Sequence, residues 1–202
     1  MKWRESLSKQ AESLTNVAAA SQQSLEQQIN EFITLSKKIA SNGGMHFFTG
    51  VGKNGHVAAK ISSTYNSLGI RSSFVDPVNT LHGDMGIFSA KDVLLAFSKS
   101  GETDELLTFV RKLRVQGFKN IVSVTSSKDS TLASLARHNI VIPVKYEGDH
   151  IGNIVPLAST IIYEAVMQSA AIEISSESGF TKSDFVARHP GGAIGKLRRR
   201  NK

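Results

Sequence analysis

The chain has no cysteine among its 202 residues. Disulfide bridges, thiolate metal sites and cysteine nucleophiles are therefore excluded. No run approaches the roughly 18 apolar residues of a membrane-crossing helix. The opening residues, Met1-Lys-Trp-Arg-Glu-Ser6, carry charge but lack the apolar core of a secretory signal, so a soluble cytoplasmic protein is expected. There is no internal repeat and no low-complexity segment. Positive charge is concentrated at one end. The segment Lys196-Leu-Arg-Arg-Arg-Asn-Lys202 carries five of the charges behind the net +7, and the balance without it is +2. No aromatic residue interleaves with these charges, so the tail reads as a solvated end; neither a nucleic-acid nor a membrane partner is expected.

A 40% hydrophobic and 20% charged composition at this length fits one globular domain with a proper core. Residues 3 to about 41 read as a long helix. Leu7, Leu14, Val17, Leu25, Ile29, Phe32, Ile33, Leu35 and Ile39 form its apolar stripe, and Ser41-Asn-Gly-Gly44 ends it. Residues 1–41 are thus expected to be an N-terminal helical segment packing on the domain or on a partner subunit, with 42–202 forming the domain itself. From Met45 the pattern alternates. Strands are expected at 45–49, 72–75, 93–97, 121–124 and 140–144. Helices are expected at 56–68, 103–116, shortly after 131, at 154–174, at 181–188 and at 192–199. Residues 76–86 and 146–153 read as loops. Short apolar strands alternating with helices predict a doubly wound, parallel five-stranded α/β sheet with helices on both faces. Ligands of such sheets bind outside the carboxyl ends of the strands, where the polar turns of this chain fall.

The most informative turn is Ser98-Lys-Ser-Gly-Glu-Thr-Asp-Glu105, between the strand Val93–Phe97 and a helix. Freed N–H groups, the positive end of the helix dipole and nearby hydroxyls make an anion site that favours a phosphate. Plain N-capping by Ser100 or Thr103, with Glu102, Asp104 and Glu105 in the first turn, is the competing explanation. A second turn, Gly50-Val-Gly-Lys-Asn-Gly55, matches the dinucleotide pattern, and Asp76 follows at the next strand's end, so a nicotinamide enzyme is weighed. Lys53 inside the turn suits a sugar phosphate better, and no Gly-Lys-Ser/Thr of a Walker loop is present. His82-Gly-Asp84 and His189-Pro-Gly-Gly192 lie between elements, where packing does not force a polar residue. Imidazole titrates near neutrality, so either histidine can move a proton. Glu147, after the last strand, is placed to be a second acid/base group. No local spacing supports a metal site built from His82, His189 and Glu147.

Four segments occur in order: Gly50-Val-Gly-Lys-Asn-Gly-His56, His82-Gly-Asp84, Ser98-x-Ser-Gly-Glu-Thr-x-Glu105 and Gly179-Phe-Thr-x-x-Asp-Phe-x-x-x-His-Pro-Gly-Gly192. Together they resemble the sugar isomerase (SIS) domain, and within it the D-arabinose-5-phosphate isomerase branch, over roughly residues 25 to 200. The resemblance implies a flavodoxin-like three-layer α/β/α fold and an aldose–ketose isomerase acting on D-arabinose 5-phosphate and D-ribulose 5-phosphate without a metal or organic cofactor. It implies that Ser98, Ser100 and Thr103 hold the phosphate, assisted by Ser126 or Ser127. Lys53 would meet the sugar or its phosphate, with Gly52 and Asn54 beside it. His82 and His189 would serve the proton transfers, and Glu105 and Glu147 match acidic positions of the family's active site. A homo-oligomer, tetramer or dimer, is implied, with His189 or His82 acting across a subunit boundary.

Two departures stand out. Members with the full architecture continue into a pair of CBS domains, whereas this sequence stops at Lys202, so that module is expected to be missing. The stretch Gly148–Thr160 differs from the proline-threonine-serine-rich sequence common in the branch, which bears on the identity of the sugar. A non-catalytic sugar-phosphate sensor is the alternative to the isomerase.

Overall fold

A computed structural model describes residues 2–19 and 23–200. It contains the parallel strands β1 (His46–Gly50), β2 (Ser72–Phe74), β3 (Val93–Phe97), β4 (Ile121–Thr125) and β5 (His138–Val141), in the order β2-β1-β3-β4-β5. This is the expected five-stranded doubly wound sheet. The central strands are buried along their whole length, which is why β3 reads as a continuous apolar run and why β1 and β4 are mostly apolar.

The order reverses at the β1/β3 junction. Helix α3 (Lys53–Ser67) follows β1 and packs on one face of the sheet, together with α2 (Gln23–Ser41) and α7 (Ala158–Glu177). Their Phe32, Ile61, Tyr65, Ile162 and Met167 meet Phe48, Leu95, Phe97 and Val124 there. Helix α5 (Asp104–Val115) follows β3 onto the opposite face, where Leu106, Phe109, Val110 and Leu113 pack on Phe47, Leu94 and Ala96; α6 (Thr131–Leu135) adds Leu132. Two helices that leave adjacent strands for opposite faces open a crevice at the strands' carboxyl ends.

The N-terminal segment is described as α1 (Lys2–Ala19) and α2; residues 20–22 of the expected long helix lie outside the described residues. Helix α1 lies along α7, and its Ser13 hydroxyl donates to the Tyr146 carbonyl at 2.9 Å. The chain ends in α8 (Lys182–Arg188) and α9 (Gly192–Arg200); Asn201 and Lys202 of the basic tail are outside the described residues.

Several boundaries differ from the sequence expectation, and three of the differences have a clear local reason. The stretch 76–86 is not loop throughout, because it holds α4 (Pro77–Thr80) and a 3-10 turn (Asp84–Ile87). The Asp76 carboxylate accepts from Val78 N at 3.0 Å and Asn79 N at 2.8 Å, and Pro77 fixes the first helical φ. Strand β5 starts earlier and ends at Val141, two residues before Pro143, which cannot donate to the ladder. Helix α7 starts at Ala158 rather than Ile154. The Asp149 carboxylate takes the N–H groups of Ile151, Asn153 and Val155 at 2.9, 2.8 and 2.6 Å, which holds this stretch as a loop.

Candidate active site

Helices starting at the carboxyl end of the sheet fall into two groups. Asp76 caps α4, Ser130 caps α6, and Glu147 reaches back to cap α7. Helices α3 and α5, the pair flanking the β1/β3 crevice, have no side-chain cap. Their orphan N–H groups and dipole ends are open to an anion. The capping explanation for the Ser98–Glu105 turn is thereby answered. Thr103 stands at the N-cap of α5, but its hydroxyl turns to Ser98 Oγ at 3.0 Å. Ser100 accepts from Glu102 N at 3.2 Å and is exposed. Ser98 is buried and also accepts from Gly101 N at 3.1 Å. Gly101 has φ +72, and a Cβ there would fall 2.3 Å from Ser130 Oγ, so only glycine fits this approach of the turn to α6.

The Gly50–Gly55 turn is shaped by equally tight packing. A Cβ on Gly55 would lie 2.8 Å from the Gly50 carbonyl, so the glycine lets α3 close onto β1. Gly52 stands at the N-cap of α3 with φ +59. Lys53 follows it and is exposed, while the Oδ1 of half-buried Asn54 has no hydrogen-bond partner among the described residues.

Glu147 is fully buried. Its Oε2 accepts from Leu157 N at 2.8 Å and Ser159 N at 2.9 Å. Its Oε1 faces Lys99 Nζ at 2.6 Å and has no other partner among the described residues. Burial pushes this carboxyl upward, but the Lys99 ammonium and the N–H groups of Ser159 and Leu157 outweigh it and hold the group below the ordinary carboxylate range. Ser126 Oγ lies 2.6 Å from the Tyr163 hydroxyl, and Ser127 N donates to Thr125 Oγ1 at 3.2 Å.

The structure therefore joins the 98–103 turn to Glu147 through Lys99. Lys99 was not singled out from the sequence, although a positive residue between Ser98 and Ser100 was the available signal. Glu105 is exposed in the first turn of α5, and His82 is exposed between α4 and the 3-10 turn. His189 does not meet these groups within one chain. Its ring stacks on Phe185 at 4.1 Å, its Nδ1 lies 2.7 Å from the Phe185 carbonyl, and it lines a hollow with Ser63, Asn66, Ser73 and Phe74 along α3 and the β2 edge. Among the described residues no three His, Asp or Glu side chains gather as a metal site.

A family model described as SIS domain matches residues 41–173. The chain belongs to the SIS domain family. This SIS domain is 35% identical over 167 residues to the arabinose 5-phosphate isomerase KdsD of Pseudomonas aeruginosa, a match covering 83% of the chain and 51% of the relative. It is 33% identical over 193 residues to the arabinose 5-phosphate isomerase KpsF of Escherichia coli O6:H1, covering 96% of the chain and 57% of the relative. The chain thus spans about half the length of the curated relatives it matches. An Escherichia coli CFT073 protein solved in complex with a sugar phosphate superposes with a TM-score of 0.84 at 29% identity, covering 93% of this chain and 95% of that one. A Listeria monocytogenes structure at 23% identity, with a TM-score of 0.85 over 94% and 95% of the two chains, shares the fold.

Proposed function

We infer that this SIS domain interconverts an aldose phosphate and a ketose phosphate, with D-arabinose 5-phosphate and D-ribulose 5-phosphate as the leading pair. The observation that carries the reading is the uncapped amino end of α5, ringed by the hydroxyls of Ser98, Ser100 and Thr103 and tied through Lys99 to a buried carboxylate. A phosphoryl group fits the first part, and proton transfer needs the second. The relatives named arabinose 5-phosphate isomerases support the choice of sugar. The nicotinamide alternative loses support, because the Asp76 carboxylate it would use on a ribose already caps α4.

In this reading the phosphate anchors the open-chain sugar at the 98–103 turn, with Ser126 and Ser127 at its margin. Binding energy from the remote ester then aligns C1 and C2 with the acid/base groups. A base removes the C2 proton of the aldose, the electron pair forms the C1–C2 double bond while O1 takes up a proton to give the enediol, and O2 then loses its proton as one returns at C1. C1 is reduced and C2 oxidised, so no external redox partner is consumed. Lys53 donates to the developing oxyanion, beside Gly52 and Asn54. Glu147, Glu105, His82 and His189 are the candidate proton carriers. His189 or His82 comes from a neighbouring subunit. The position of His189 along the outer edge of α3, and the exposed Ile154, Ile161 and Ile172 on and beside α7, support such an assembly.

The test is a substrate profile over pentose and hexose phosphates with a ketose assay. Conversion of arabinose 5-phosphate above the other sugars is expected. Saturable binding of these esters without conversion would overturn the isomerase in favour of a sensor, and a thermal-shift response to NAD alone would overturn both.

A further inference from the structure

Lys99 occupies an unusual place. Its backbone is clamped to the end of β4, with its carbonyl accepting from Ser126 N at 3.0 Å and from Thr125 Oγ1 at 3.1 Å. Its neighbours Ser98 and Ser100 belong to the candidate phosphate turn. Its side chain crosses to the β5–α7 loop and ends 2.6 Å from Glu147 Oε1. The other end of this contact is just as constrained. Asn153 Oδ1 accepts from Glu147 N, Ala158 N donates to the Glu147 carbonyl at 3.3 Å, and two further N–H groups hold Oε2. Only Oε1 depends on a side chain from another part of the fold.

We propose that Lys99 is a positioning residue, a charged strut that fixes the direction and the charge of the Glu147 carboxylate from within the phosphate turn. The inference rests on the isomerase reading for its consequence in catalysis, but not for the strut itself. The asymmetry of the pair is the physical argument. The carboxylate is fully buried, whereas the ammonium keeps about a third of its side chain in water (30%). Without Lys99, a buried charge would be left with two backbone donors and no counter-ion, a state relieved by taking up a proton. Tyr163 on α7, a titratable neighbour, does not supply a counter-ion. Burial pushes its phenol well up, so it stays neutral, and its hydroxyl is engaged with Ser126. A carboxylate held by two fixed N–H groups and one strut stays ionised and fixed in direction, as a base must be.

The test uses the full chain with carboxyl-labelled glutamate and follows the Glu147 signal, assigned with Glu147→Gln, through a pH titration by NMR. Lys99→Met, Lys99→Gln and Lys99→Arg are compared. In the two neutral variants the Glu147 midpoint is expected to move to higher pH, and in Lys99→Arg to return toward the original. The acidic limb of the kcat/KM profile should move with it. A role confined to packing would lower the plateau and leave the limb in place. An unchanged midpoint in either folded neutral variant overturns the strut. A chain that shows the midpoint shift but converts no sugar phosphate overturns the isomerase reading and leaves the strut standing.

Discussion

At the amino-terminal end of the sheet, the buried Asp92 carboxylate takes three hydrogen bonds, from Met45 N at 2.8 Å and from Ser89 N and Oγ at 2.7 and 2.8 Å. Beside it, fully buried His46 sits 2.6 Å from Ser36 Oγ through Nε2 and 3.3 Å from the Arg71 carbonyl through Nδ1. A carbonyl can only accept, so Nδ1 carries the proton and Nε2 accepts from the serine. At the carboxyl-terminal end, Thr49 Oγ1, Asn54 Oδ1 and Ser159 Oγ are buried with no hydrogen-bond partner among the described residues, and α3 and α5 begin without caps. Buried polar groups are normally satisfied, so polar atoms left open at one end and closed at the other set the two ends apart, as the proposed sugar-phosphate site at the carboxyl end requires. Substitutions at the two ends should then fail in different ways.

The largest effect is expected from Glu147→Gln at the open end. The amide keeps the shape and an acceptor for the α7 N–H groups, but it cannot take a proton. We expect kcat/KM to fall by about 10²-fold or more, the usual scale for losing an acid/base group. Lys99 is partly exposed and can turn to water, so the melting temperature should move far less. A variant retaining most of its turnover would remove Glu147 from the chemistry.

The next effect belongs to the closed end and appears as pH dependence. Burial pulls the His46 pKa from 6.5 down to about 4, against the Arg71 carbonyl and Asp92, which favour the charged form. The folded protein keeps this ring neutral while the unfolded chain protonates it near 6.5. Its contribution is therefore complete above about pH 6.5 and lost progressively as the pH falls to about 4, a total of about 3 kcal/mol. Urea unfolding across that window should show this slope in the wild type and a flatter one in His46→Gln. Parallel slopes would mean that the ring is not what titrates. A smaller loss at the same end, about 2 kcal/mol, is expected for Asp92→Asn, where the amide turns a buried donor toward Met45 N or the Ser89 donors. Activity per folded molecule should be unchanged, and a selective loss of activity there would break the comparison.

Ser100→Ala returns to the open end. One hydrogen bond to a charged phosphate oxygen is worth about 1–2 kcal/mol, so KM for the sugar phosphate should rise about 5- to 30-fold with an unaltered melting temperature. An unaltered KM would count against the phosphate assignment at this turn.

These contrasts were only partly legible in the sequence. The buried central strands β1, β3 and β4, with the shorter edge segments and the helices between them, were enough for the sheet, because a parallel strand buried on both faces has little choice of residue. The boundaries at 76–86 and 154–158 were not legible, because single carboxylates set them: Asp76 and Asp149 collect backbone N–H groups two to six residues away. The Ser98–Thr103 turn reads from the sequence either as an anion site or as a simple cap, and the structure speaks only to the second: the Thr103 hydroxyl turns to Ser98 and not to the helix. The contact between Lys99 and Glu147 joins residues far apart in the chain and leaves no local pattern. Nor could the order of motifs tell that α8 would carry His189 to the outer edge of α3.

The smallest effect sharpens the comparison most. Thr49 is the penultimate residue of β1, fully buried, with its hydroxyl unpartnered among the described residues. Valine has nearly the same shape and lacks only the polar atom. If the hydroxyl is unsatisfied in the free protein, removing it relieves a desolvation penalty, and Thr49→Val should be neutral or stabilising by up to about 1 kcal/mol. If the same hydroxyl meets the ligand, affinity for the sugar phosphate should fall several-fold, so stability and binding move in opposite directions. A destabilised variant would mean that Thr49 is partnered within the fold, as the groups around Asp92 are, and the contrast between the two ends would fail at the residue where it is drawn most finely.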